Sequence, residues 1–251
     1  MLVMGILNVT PDSFADGGKH NDFEAAVARG LEMIEEGVDI IDIGGESTRP
    51  GADRVSEEDE IARTIPVITE LAKHNAKISI DTMRASTAKE AINAGASIIN
   101  DVSGGLADPL MLTTAAQLKL PYIAMHWRGQ SKDMNSKAIY GDVVNDVMRE
   151  LQERIDAALD AGISKGNLII DPGLGFAKDA DHNWAIIDAI DQFVAMGYPV
   201  LVGGSRKRFL GGDSPDQREQ ATIELTKRLA PTGVWAVRVH SVKPHKEVLS
   251  A

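Results

Sequence analysis

Short apolar runs rich in Ile and Val alternate along the chain with longer amphipathic stretches. The runs cover residues 2–7, 38–43, 77–80, 97–99, 122–125, 168–170, 199–202 and 235–239, most of them bounded by Gly, Asp or Asn. Near-continuous apolarity over so few residues suits parallel strands buried on both faces. Helical spacing fills the gaps. Residues 23–36 put Val27, Leu31 and Ile34 on one face. "SEED" at Ser56 is a capping-box pattern ahead of Ile61, Ile65, Ile68 and Leu71, with Pro66 expected to kink that helix. Residues 142–161 carry Val143, Val147, Leu151, Ile155 and Leu159 at near-helical spacing. Further helical patterns lie at 84–94, 106–118, 181–196, 216–229 and 243–250. Eight strands in strict alternation with helices predict an α/β chain folded as a (β/α)₈ TIM barrel. One such domain over residues 1–251 fits the length. Periodicity does not show closure, so an open doubly wound sheet is the alternative.

Polar residues gather where the strands end. Asn8 ends the first run, and Asp42 opens "DIGGESTRPG" after the second. Asp81 ends the third, Asn100 and Asp101 the fourth, Met125 and His126 the fifth, and Asp171 the sixth. "GGSRK" follows the seventh and "RVH" ends the eighth. In a parallel barrel these ends share one rim, the face that carries the chemistry in such folds. Arg238 and His240 stand two apart and so share a strand face, a cation and an imidazole suited to an anion such as phosphate. A salt bridge from Arg238 to a rim aspartate competes with that reading. "GGSRK" offers backbone amides beside two cations, a second possible anion feature, but not a P-loop. Asp81, Asn100 and Asp171 could read the edge of a flat, nitrogen-rich heterocycle, or bind a metal.

Several classes are excluded or disfavoured. Cysteine is absent, so there is no disulfide frame, thiolate metal site or catalytic thiol. The net charge of −11 argues against nucleic acid and anionic membranes as partners. No apolar run is long enough to span a bilayer and no signal segment opens the chain, features expected of a cytoplasmic protein. His20, His74, His126, His182 and His245 show no ligand spacing and read as surface or packing residues. "GLGFAK" lacks the dinucleotide fingerprint. The stretch after Asn8 runs about a dozen residues before the next helix, and residues 45–55 form a second long loop, against ~2–6 for ordinary βα connections. Long loops on a catalytic rim suggest lids.

"NVTPDSFADGG" and "GGESTRPG", followed by "IDT", "IND", "DPGLGFAK", "GGSRKRF" and "RVH", closely resemble the signatures of the dihydropteroate synthase family, in order and over nearly the whole chain. "MHWRG" and "DHNWA" resemble its actinobacterial members. The resemblance implies condensation of 6-hydroxymethyl-7,8-dihydropterin pyrophosphate with p-aminobenzoate to 7,8-dihydropteroate and pyrophosphate. It also implies Mg²⁺, a homodimer built on the last helices, and competition by sulfonamides for the p-aminobenzoate site. Carried over, the pterin pocket comprises Asp81, Asn100, Met125, Asp171 and Lys207. Pyrophosphate falls to Asn8, Thr48, Arg49, Arg238 and His240, with Asn8 also touching the metal. Phe14, Pro50, Phe176, Ser205 and Lys207 frame the arylamine. Asp171, Lys207 and Arg238 are the expected catalytic groups. The sequence departs from the family at Ser241, where an acid is common, and in "ELTKRLAPTG" at 224–233. Rival readings are a pterin-binding paralogue that does not condense, and a barrel that binds methyltetrahydrofolate and passes on its methyl group.

Overall fold

In a computed structural model that describes residues 1–10, 18–46, 54–130 and 134–250, eight parallel strands form a single sheet. In chain order these are β1 (Leu2–Asn8), β2 (Ile40–Gly44), β3 (Ile78–Asp81), β4 (Ile98–Asp101), β5 (Tyr122–Met125), β6 (Leu168–Asp171), β7 (Leu201–Val202) and β8 (Ala236–Val239). The order β6-β5-β4-β3-β2-β1-β8-β7 is that of a barrel cut between β6 and β7. A parallel bridge from Ile170 to Val200 closes the cut, with the Ile170 amide donating to the Pro199 carbonyl at 3.0 Å. The expected TIM barrel is present and the open sheet is not.

Helices α1 (Gly18–Glu35), α2 (Glu57–Ala72), α3 (Ala85–Asn93), α4 (Met111–Leu118), α5 (Val143–Asp160), α6 (Ala180–Asp188), α7 (Ile190–Ala195), α8 (Gln217–Leu229) and α9 (Lys243–Ser250) follow the strands. Helix α5 keeps the expected face: Val143, Val147, Leu151 and Ile155 are buried, and the Asp142 carboxylate accepts from the Val144 and Asn145 amides at its start. That cap is worth ~1 kcal/mol.

Some boundaries differ from expectation. Helix α1 begins at Gly18, so the connection after Asn8 is shorter than a dozen residues. Helix α2 holds Pro66 in its interior, where the pattern places it. Its cap is half a box: Ser56 accepts from the Asp59 amide, while the Asp59 carboxylate turns to the Ser56 hydroxyl. The pattern at 106–118 becomes helix only from Met111, because Asp108 accepts from the Leu110 and Ala85 amides and fixes a turn before it. The pattern at 181–196 is broken at Ala189, which leaves helical dihedrals and divides α6 from α7.

Alternation along the strands decides what fills the barrel. Its lower interior is apolar: Met4, Ile40, Ile98, Ile123, Ile169, Leu201 and Ala236 pack together. Two residues further along, the same inward face carries Asp42 on β2, Asn100 on β4, Met125 on β5, Asp171 on β6 and Arg238 on β8. Register places Ser79 beside Asp42, and Asp81 beside Asn100. The outward residues of the strands meet the helices in a second, larger core. A dry floor and a polar upper storey are thus set by a period of two.

Candidate active site

Arg238 is the centre of the polar storey. Its Nε donates to Asp42 Oδ2 at 2.6 Å and its Nη2 to Asp81 Oδ2 at 2.7 Å. Asn100 Nδ2 donates to the same Asp42 oxygen at 3.1 Å, which turns the Asn100 carbonyl away from Asp42. Asp42 is wholly buried and Asp81 7% exposed. The competing expectation for Arg238, a bond to a rim aspartate, therefore holds twice over. Burial pushes Asp81 above the ordinary carboxylate range, and the facing guanidinium pulls it back. Asp42, a strand-end residue the sequence did not assign to the pocket, organises Arg238 and Asn100 together. Its one signal was its parity with Ile40.

Asp171 lies across the mouth. Its Oδ1 accepts from the Gly173 amide at 2.7 Å. Burial pushes its pKa up, while that N–H and the cations Lys207, Arg238 and Lys178 draw it down. Lys207 reaches over from the "GGSRK" turn, donates to the Leu174 carbonyl, and sits 4.6 Å from the centre of the Phe176 ring. Burial lowers its pKa to about 8, so the ammonium persists at neutral pH. Phe176 packs on the small cluster of Met83, Val102 and Met125 at the rim. Asp81, Asn100, Met125, Asp171, Lys207, Phe176 and Arg238 are thus brought to one mouth.

His240 and Ser205 form a neighbouring pair. Ser205 Oγ lies 2.9 Å from His240 Nδ1 and accepts from the His240 amide at 3.2 Å. With the amide filling one acceptor site, the hydroxyl can donate to Nδ1, which leaves the imidazole proton on Nε2. Ser205, expected against the arylamine, is here the partner that orients His240. The second cation of "GGSRK" does not join the mouth. Arg206 has φ +57, and its side chain turns to Glu219 on α8 and to Ser241 Oγ at 2.9 Å. The turn is therefore no two-cation anion site; its cations diverge.

Asn8 ends β1 on the inward face, half-buried. Among the described residues no three His, Asp or Glu side chains are grouped to hold a metal. One neutral amide oxygen could serve as a single ligand to a hard cation such as Mg²⁺, which keeps most of its shell as water and phosphate oxygens. Phe14, Thr48, Arg49 and Pro50 lie outside the described residues. The stem beside Thr48 is braced: Glu46 accepts from Arg54 Nε and from Arg84 Nη1, each at 2.9 Å, and Arg84 also pairs with buried Glu60.

A second group of residues lies outside the sequence's assignments. Lys178, 8% exposed, donates to Gly173 O at 3.0 Å, Phe176 O at 3.1 Å and His126 Nδ1 at 2.8 Å. His126 Nε2 stands 2.9 Å from Glu150 Oε2, and Arg128 grips both Glu150 oxygens at 2.9 and 2.6 Å. His126 is not merely packing, since both its ring nitrogens are engaged. The signal for Lys178 was its place at the end of "GLGFAK".

Known proteins share this frame. A model of the family described as pterin binding enzyme matches residues 4–240. The dihydropteroate synthase of Mycobacterium leprae is 47% identical over 257 residues, spanning 98% of this chain and 90% of the relative. Xanthomonas albilineans dihydropteroate synthase with 4-aminobenzoic acid superposes with a TM-score of 0.93 at 44% identity, covering 99% of this chain and 90% of that one. The same enzyme in complex with 7,8-dihydropteroate gives 0.90 at 41% identity, over 99% and 91% of the two chains.

Proposed function

The chain belongs to the pterin-binding enzymes, among the dihydropteroate synthases, and we propose that its own mouth residues carry that family's condensation as follows. The pterin ring stands on the polar storey, with Asp81, Asn100 and Asp171 on its nitrogen-bearing edge and Met125 beneath it. Convergence of these side chains on one buried ring, beside Lys207, is the observation that carries the reading.

The arylamine is neutral and needs little help from a base. Its nitrogen lone pair forms the new bond to the pterin methylene carbon. The carbon–oxygen bond to pyrophosphate breaks and its electron pair leaves on oxygen. The amine proton then passes to solvent or to the departing pyrophosphate. Positive charge at the methylene is met by Asp171, which the Gly173 N–H holds in place. Leaving-group charge is met by Arg238, whose bonds to Asp42 and Asp81 engage two of its five N–H groups, and by His240. Asn8 would hold Mg²⁺, which when bound neutralises phosphate charge. Lys207 and Phe176 wall the arylamine, with Phe14 and Pro50 completing the slot and Thr48 and Arg49 reaching the pyrophosphate. No covalent nucleophile is required. The homodimer and the cytoplasmic setting implied by the resemblance belong to this reading; among the described residues no helix is long and apolar enough to cross a membrane.

Pyrophosphate release from the pterin pyrophosphate is the direct test. It should require p-aminobenzoate and Mg²⁺ together. Release that ignores the amine would sink the condensing function and favour a non-condensing paralogue.

A further inference from the structure

We propose that Lys178 is a positioning residue, whose ammonium pins the 173–178 turn so that Asp171 and Phe176 face the substrates, and that His126 serves it as an oriented acceptor. This rests on Asp171 reading the pterin, as assigned above.

The turn has no ladder of its own, only one backbone bond, from the Phe176 amide to the Gly173 carbonyl at 3.1 Å. Gly173, Gly175 and Ala177 have φ of +68, +76 and +49, so left-handed residues alternate with ordinary ones. For Ala177 that conformation is unfavourable by ~1–2 kcal/mol. Alternation swings the carbonyls out, and side chains collect them. Leu174 O goes to Lys207, Ala177 O accepts from Tyr140 Oη at 2.9 Å, and Gly173 O and Phe176 O both go to Lys178. Lys178 bridges the two ends of the turn through their carbonyls, reinforcing the single backbone bond between them. Those ends are Gly173, whose N–H holds Asp171, and Phe176, whose ring faces Lys207.

An ammonium has three donors and no acceptor. Two are spent on the turn, so the third must find a lone pair. His126 Nδ1 supplies it only if the imidazole proton is on Nε2. Glu150 fixes that tautomer by accepting from Nε2, and Arg128 holds Glu150 ionised. Arg128 in turn stacks 3.8 Å over the Tyr140 ring, whose hydroxyl holds the next carbonyl of the turn. The chain Arg128–Glu150–His126–Lys178 has one orientation at every link, and none of its members is needed to touch substrate.

Two replacements of His126 separate this role from packing. The oxygen of Asn can stand near Nδ1, whereas the amide of Gln extends to the place of Nε2. Gln is the nearer match in size. His126→Asn should keep kcat/KM for the pterin pyrophosphate near the wild type. His126→Gln should lose about tenfold or more, chiefly in KM for that substrate, since misplacement of a positioning turn acts on binding geometry. Lys178→Met should fall at least as far as His126→Gln. In the wild-type protein at pH 6, below the value of about 7 to which burial lowers Lys178, nitrogen shifts of the His126 ring should report a proton on Nε2 alone. Gln equal to or better than Asn, or a proton on Nδ1, would overturn the proposal, and either can be read even if Lys178→Met does not fold. If wild-type protein bound no pterin, the assignment of Asp171 would fail instead, a result distinct from either.

Discussion

Arg238→Met removes the only cation bonded to two carboxylates among the described groups inside the barrel, and the consequence can be worked from the distances. Asp42 would retain the amide of Asn100 at 3.1 Å, and Asp81 would lose the 2.7 Å bond described for it. Leaving a buried charge without its partner destabilises by about 3–5 kcal/mol. At roughly 2–4 °C per kcal/mol for a chain of this size, Tm should fall by about 6–20 °C. Protonation of a stranded carboxyl limits the loss. Burial already pushes Asp81 upward, and without Arg238 it rises further. A carboxyl raised above its unfolded value binds a proton more readily when folded, so its stabilising share is present at low pH and vanishes as pH rises. The deficit of the variant should therefore be larger at pH 8 than at pH 6. Adding Asp42→Asn should restore part of it, because one stranded charge is then gone. Thermal and urea unfolding of the single and double variants at both pH values supply these numbers, and titration with pyrophosphate supplies the chemical half. A fall below ~3 °C at pH 8 would refute the stability reasoning. Unchanged pyrophosphate affinity in a folded variant would remove Arg238 from the leaving-group site and leave it a brace.

Three further outcomes follow from the site. Asp171→Asn should lose ~2–4 kcal/mol in kcat/KM, the scale of one preorganised electrostatic group, and near-wild-type kinetics in a folded variant would end its proposed role. Gly173→Ala would put a Cβ 2.5 Å from the His126 carbonyl oxygen at φ +68, where backbone cannot yield; it should be destabilised by ~2–4 kcal/mol by denaturant titration and be severely impaired, and a neutral result would mean the turn is misplaced. Burial and the Lys178 charge lower His126 to about 4. The unfolded chain takes up that proton first, near pH 6.5, so stability should drop by up to ~3 kcal/mol between pH 6.5 and 4, a slope His126→Asn should lack.

Much of this frame was legible because a period of two is a local property. Each inward residue of the floor, and each of Asp81, Asn100, Asp171 and Arg238 above it, can be counted along its own strand from the apolar run before it. Partner choice cannot. That Arg238 is held by Asp42 and Asp81, that Ser205 bonds His240, and that Arg206 points out depend on what neighbouring strands and helices bring within about 3 Å. Arg206 is decided by a left-handed φ and by Glu219 on a helix that follows it. Lys178 and His126 lie 52 positions apart, and each looks ordinary alone. The start of α4 was missed for a local reason of the opposite kind: the Asp108 carboxylate competes for amides that a helical pattern would have claimed.

The seam between β6 and β7 has a thermodynamic consequence. Elsewhere adjacent strands share ladders, but here a single bridge at Ile170 and Val200 closes the circle, and β7 itself is two residues long. Asp171 stands directly after one edge of that seam, and Lys207 rises from the turn after the other. A substrate held by both would span the gap, and the Lys207 contact to Leu174 already does so on a small scale. Local opening at the seam and occupancy of the mouth then draw on one equilibrium: whatever binds across the two edges suppresses the opening in proportion to its affinity. Ligand affinity and the exchange of the Ile170 amide with solvent become two measures of one free energy.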